Sequence, residues 1–141
     1  MSPPSRDIMG VAVTAATAAE MTAALDRRRG EGARTRLAFL NAHTSNLAAA
    51  DPAFRAMLGD FVVLNDGIGV DIASRWLHGA RFPENLNGTD FVPADLQATA
   101  RPARLFLLGA APGIAEAAAA RLIAAAPQHT LAGVRHGYFA A

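Results

Sequence analysis

Short apolar runs alternate along this chain with longer stretches of helical spacing. Leu37-Ala38-Phe39-Leu40, Phe61-Val62-Val63-Leu64 and Arg104-Leu105-Phe106-Leu107-Leu108 are bounded by turn-forming residues and read as buried strands. Ile8 to Val13 predicts a first strand after a loose lead-in, residues 1–7, and about Thr130 to Val134 predicts a last one. Between them the spacing predicts a helix over Thr17 to Arg29, closed by Gly30 and Gly32, and another over Asn46 to Leu58, kinked or restarted at Asp51-Pro52. Further helices are expected over 68–78, from Thr89 or Asp90 to about Thr99 after the polar loop 79–88, and over Ile114 to Ala125. Strands alternating with helices predict one α/β domain over 8–141, with a mostly parallel, Rossmann-like sheet, right-handed crossovers and helices on both faces.

Within 68–78, Ile68, Ile72, Ala73, Trp76 and Leu77 make an apolar face on which Trp76 is expected to anchor the core. Asp71 and Arg75 form an acid-to-base pair at i,i+4 spacing, which predicts a solvated surface position for Asp71.

Composition narrows the function classes. The length of 141 residues is enough for one domain with a real core. With 52% hydrophobic and 18% charged residues the chain has the composition of a globular protein, and a net charge of +1 makes no electrostatic case for nucleic acid. All 13 basic residues are Arg. The chain has no Cys, which excludes disulfides, thiolate metal sites and cysteine nucleophiles. His43, His78, His129 and His136 form no ligand pair at i,i+4, so neither a metal nor a resident cofactor is expected. No apolar stretch reaches the roughly 18 residues of a membrane span. Ile8 to Ala19 resembles a signal segment, but Asp7 and Glu20 flank it and Arg27-Arg28-Arg29 follow, so a cytoplasmic location is expected.

The candidate chemistry gathers where strands end. Asn65-Asp66-Gly67-Ile68-Gly69 joins an apolar run to an amphipathic one, the grammar of a strand, a sharp turn and a helix. Ligands of open α/β sheets bind beyond the carboxyl ends of strands. Asp66 there is either a helix N-cap or a general base, and Gly67 would let a ligand approach the backbone. Asn41 follows its strand in the same way, as a cap or as a polar group beside Asp66, with Thr44 near it. Asn85-Leu86-Asn87-Gly88-Thr89-Asp90 is either a loop closing onto a helix or a substrate loop whose amides suit sugar hydroxyls. Gly109-Ala-Ala-Pro-Gly113 is a plain turn or a phosphate cradle, although it has neither the P-loop Lys-Ser/Thr nor the dinucleotide spacing. His136 and Tyr138, at the exit of the last strand, could contact a ring or a phosphate.

In this order, the Asn41 region, Asp51-Pro-Ala-Phe54, Asp66-Gly-Ile-Gly-Val70, Gly88-Thr-Asp-Phe91, Leu107-Leu-Gly-Ala-Ala-Pro-Gly-Ile114 and His136-Gly-Tyr-Phe139 resemble the WecG/TagA/CpsF family of bacterial glycosyltransferases over roughly residues 37 to 139. The resemblance implies an incomplete GT-E-like domain. It implies inverting transfer from a UDP-sugar donor to a polyprenyl-diphosphate-linked acceptor in surface-polysaccharide synthesis, at the inner face of the cell membrane. It further implies Asp66 as the base, Asn41 beside it as a catalytic residue, and the Gly109–Gly113 loop near the nucleotide sugar. Thr44, Gly67, Asn85, Asn87, Gly88, Asp90, His136 and Tyr138 are the remaining substrate-binding candidates. The chain has no Asp-x-Asp pair, so diphosphate charge would be met by helix N-termini and Arg side chains.

Three departures from the family's pattern stand out. Phe39 occupies a position where many members carry Thr, and Asn85 and Asn87 lie in a loop where many carry Arg. Members usually continue past His-Gly-Tyr-Phe into a further segment and a C-terminal appendage associated with peripheral membrane contact. A fragment of a longer domain is therefore expected. The alternative reading is a non-catalytic domain that binds nucleotide sugar or a partner, and a homo-oligomer is compatible with either.

Overall fold

The computed structural model describes residues 3–139, and the chain divides into two compact units, Met1–Val92 and Pro93–Ala141. The first strand is not the single run expected at 8–13. It is a hairpin of β1 (Ser5–Ile8) and β2 (Val11–Thr14), paired antiparallel. Met9 and Gly10 turn the chain between them with φ of 53° and 87°, and the Asp7 carboxylate accepts the Gly10 N–H at 3.0 Å. An Asp three residues before a glycine in a positive-φ turn is hairpin chemistry inside the apolar run. Residues 5–7, expected in a loose lead-in, are thus an edge strand.

After α1 (Ala18–Gly30) come β3 (Leu37–Leu40), α2 (Ala42–Ala50), α3 (Pro52–Leu58), β4 (Val62–Asn65) and α4 (Ile68–His78). Asp51 divides α2 from α3, its carboxylate capping the second helix with Pro52 in the first turn. The sheet order is β1-β2-β4-β3, and β4 is parallel to both β2 and β3. The chain therefore passes over the place of β4 on its way to β3 and then returns. Right-handed crossovers in opposite directions put their helices on opposite faces. The packing agrees: Leu64 joins Met21 and Leu25 of α1 in one cluster, while Val63 joins Leu40, Ala48, Leu58 and Val70 in the other. The expected α/β, Rossmann-like arrangement with both faces covered is what forms.

Helix α4 sits the other way round from its apolar pattern. Val70 and Ser74 are its buried residues, whereas Ile68, Ile72 and Leu77 are exposed and Trp76 is 85% exposed. The buried side is fixed by polar bonds. Ser74 Oγ donates to the Ala80 carbonyl, and Arg6 Nη1 donates to Ser74 Oγ and to the carbonyls of Ala80 and Arg81. Asp71 does not pair with Arg75. It accepts the Phe82 N–H at 2.8 Å and meets Arg81 at 3.5 Å, holding the loop after α4 against the helix.

In the second unit β5 (Arg104–Leu108) and β6 (Thr130–Arg135) pair in parallel, joined by α6 (Ile114–Ala125). Buried His129 accepts the Ala103 N–H at Nδ1 and lies 2.7 Å from the Leu96 carbonyl through Nε2, which places it in the scaffold. The helix expected from Thr89 or Asp90 is α5 (Gly88–Ala98), within which the two units divide.

Candidate active site at the carboxyl edge of the sheet

Strands β3 and β4 end level with each other, Leu40 beside Asn65, and the Asp66 N–H donates to the Leu40 carbonyl at 2.9 Å. Asn41 and Asp66, the first residues past these strands, thus leave the sheet side by side. Their helices start close together, since a Cβ on Gly69 would lie 3.1 Å from the Ala42 Cβ. The juxtaposition of Asn41 with Asp66 follows from the parallel register.

Asp66 is not the cap of α4. Gly67 holds that position with φ 89° and ψ 170°, and no side chain caps the helix. That backbone region is open almost only to glycine. Gly67 therefore separates the carboxylate from the helix N–H groups that a capping side chain would reach. Asp66 is half-buried, and its carboxylate has no hydrogen-bond or ion-pair partner among the described residues. Asn41 does cap: its Oδ1 accepts the Thr44 N–H at 2.9 Å and the Thr44 hydroxyl at 3.0 Å. Its Nδ2 remains unbonded among the described residues. A free carboxylate beside a free amide can take a proton from a hydroxyl and hold a neighbouring oxygen.

The loop 84–90 is consumed largely by its own structure. Asn85 Oδ1 accepts the Gly67 N–H at 2.9 Å. Asn87 and Asp90 bond reciprocally at the start of α5, the Asp90 N–H to Asn87 Oδ1 at 3.0 Å and Asn87 Nδ2 to the Asp90 carboxylate at 2.9 Å. A Cβ on Gly88 would stand 3.1 Å from the Phe39 ring. Two residues not singled out from the sequence complete this region. Asn65 is buried and its Nδ2 donates to the Glu84 carbonyl at 2.9 Å, while the Glu84 carboxylate accepts the Ala18 N–H at 2.7 Å. A polar residue closing an apolar strand run was the available signal for Asn65.

In the second unit, the carboxyl ends of β5 and β6 bring the Gly109–Gly113 turn against residues 136–138. The Gly109 N–H donates to the Arg135 carbonyl at 3.0 Å and the Gly137 N–H to the Ala110 carbonyl at 2.8 Å. A Cβ on Gly137 would stand 3.3 Å from the Gly109 Cα. Gly113 caps α6 in the left-handed conformation without a side-chain bond, and Glu116 places a negative charge in the first turn. His136 is half-buried with Nδ1 enclosed and unpartnered, and Tyr138 is exposed. An open cleft of about 250 Å³ borders Leu108, Gly109, Ala110 and Ile114.

A cavity of about 320 Å³ between α1 and the sheet, lined by Thr14, Met21, Arg28 and Phe61, contains none of these candidates. Among the described residues no three acidic, His or Cys side chains converge as a metal site, and no helix is long and apolar enough to cross a membrane. No curated protein matches the chain. The sequence profile described as the glycosyl transferase WecG/TagA/CpsF family matches residues 6–141. That match spans nearly the whole chain, and the protein belongs to the WecG/TagA/CpsF family of glycosyltransferases.

Proposed function

We propose that this protein transfers a sugar, with inversion, from a UDP-sugar to a saccharide carried on a polyprenyl diphosphate, and that Asp66 is the general base. The observation that carries the reading is the state of Asp66. It is a half-buried carboxylate at the carboxyl end of an interior strand, unused as a cap and unpartnered among the described residues. A structural Asp at a helix start would spend its oxygens on the first turn.

In the proposed step the acceptor hydroxyl gives its proton to the Asp66 carboxylate as its oxygen bonds to the sugar C1. The bond from C1 to the diphosphate oxygen breaks, and its electron pair leaves with UDP. Asn41, fixed by Thr44 through Oδ1, offers Nδ2 to hold a sugar or acceptor oxygen. In the loop, Asn85 spends Oδ1 on the Gly67 N–H and Asn87 and Asp90 satisfy each other, so the loop shapes the site instead of gripping the sugar. Gly109, Gly113, His136 and Tyr138 are assigned to the nucleotide diphosphate, through the N–H groups at the start of α6 and the His ring. An acceptor of this kind places the work at the inner face of the cell membrane, in the synthesis of surface polysaccharide.

Asp66→Asn keeps the size of the side chain and removes the base. Transfer should fall by about 10²–10⁴-fold, the usual contribution of a positioned base, with UDP binding retained. Undiminished turnover in that variant would remove Asp66 from the role.

A further inference from the structure

We propose that Asn65 and Asn85 are positioning residues that clamp the Asp66 turn from both sides; the inference rests on the role proposed for Asp66. Asn65, immediately before Asp66, is 1% exposed and donates from Nδ2 to the Glu84 carbonyl at 2.9 Å. Gly67, immediately after Asp66, donates its N–H to Asn85 Oδ1 at 2.9 Å. Two consecutive loop residues thus hold the two neighbours of one carboxylate. One bond runs from a strand side chain to loop backbone, the other from turn backbone to a loop side chain.

The loop is a firm support for such a clamp. The Glu84 carboxylate is tied to the first turn of α1, Leu86 is 1% exposed, and Asn87 with Asp90 caps α5. The turn needs holding, because glycine is the residue with the widest backbone freedom. With its N–H released, the peptide between Asp66 and Gly67 can rotate and carry the carboxylate out of line. Small misplacements of a reacting group are costly in rate. Asn65 points the same way. Its Oδ1 is buried without a partner, so packing alone would be served as well by an apolar side chain of similar size.

The test uses the full chain and the variants Asn85→Ala, Asn85→Asp, Asn65→Leu and Asp66→Asn. Turnover is read as UDP released from UDP-N-acetylmannosamine or UDP-glucose with a polyprenyl-diphosphate-linked saccharide, and exchange of the Gly67 amide is followed by NMR. In Asn85→Ala the Gly67 amide should exchange about tenfold faster or more. Its kcat should fall about tenfold while KM for the donor stays within about twofold. Asn85→Asp keeps an acceptor oxygen and should restore exchange protection and kcat. Asn65→Leu should lose kcat with its melting temperature retained. A donor KM raised by Asn85→Ala at unchanged kcat would make Asn85 a substrate contact and overturn the clamp, as would unchanged Gly67 exchange. Turnover lost in Asp66→Asn but intact in Asn85→Ala and Asn65→Leu refutes the clamp alone. No wild-type turnover, or full turnover in Asp66→Asn, refutes the base and the clamp together.

Discussion

Replacing Leu86 by Ala tests whether the loop beside Asp66 is held by the core. Leu86 is 1% exposed and packs in a cluster with Met21, Leu25, Leu64 and Phe91, on the α1 face of the sheet. Removing a buried Leu side chain to Cβ costs about 2–5 kcal/mol, the spread reflecting how far the surroundings refill the space. Met21 is flexible and can move into the gap, whereas Leu64 is fixed in β4, so a value near the middle, about 3 kcal/mol, is expected. That is a large part of the roughly 5–15 kcal/mol that holds a domain folded. For a unit of this size it should lower the melting temperature by about 12–24 °C. Guanidinium unfolding followed by far-ultraviolet circular dichroism gives the free energy directly. A loss below about 1 kcal/mol, typical of a surface site, would show that Leu86 is not a core residue and that the loop lacks its apolar anchor.

Two further outcomes follow from the same packing. Trp76 is 85% exposed, so Trp76→Ser should change stability by no more than about 0.5 kcal/mol, and the native protein should emit like a solvated tryptophan, open to acrylamide. A loss of about 3 kcal/mol or more would put Trp76 in the core instead. At the start of α1, the Thr17 N–H and hydroxyl donate to Glu20, and these bonds hold the Glu20 carboxyl below the usual glutamate range. The capping box therefore contributes fully above the ordinary glutamate pKa and fades as the pH falls through the lowered folded-state value. Glu20→Gln should flatten that acid limb of the stability curve, and an identical limb in both proteins would refute the assignment.

Much of the scaffold was legible because it depends on short-range chemistry. The strand Arg104–Leu108 and the helices Ile68–His78 and Ile114–Ala125 form over the expected spans, since Gly67 and Gly79 bracket the first helix and Gly113 and Pro127 the second. The restart at Asp51-Pro52 follows from a cap and a proline that act within one turn. The polar turn after β4 was equally visible, whereas Asn41 read either as a cap or as a neighbour of Asp66, and the register of β3 against β4 makes it both. Met9-Gly10 was less so, because a two-residue hairpin turn sits inside an apolar run and resembles continued strand.

What the sequence by itself determined is where strands and helices lie and where polar residues interrupt them, because hydrophobic period, caps and turn residues act within a few positions. Only the tertiary structure decided which way those elements face. The apolar stripe of α4 looks outward because Ser74 and Asp71 are drawn inward by the backbone of the loop 80–82, whose polar groups need partners more than Trp76 needs burial. It also decided what Asp66 is free to do. Gly67 occupies the cap position, Asn65 donates to the distant Glu84 carbonyl, and Asn85 of the same loop accepts the Gly67 N–H. A carboxylate that local grammar reads as a helix cap is left unpartnered among the described residues, because Gly67 takes the cap position and distant residues fix the turn on either side of it.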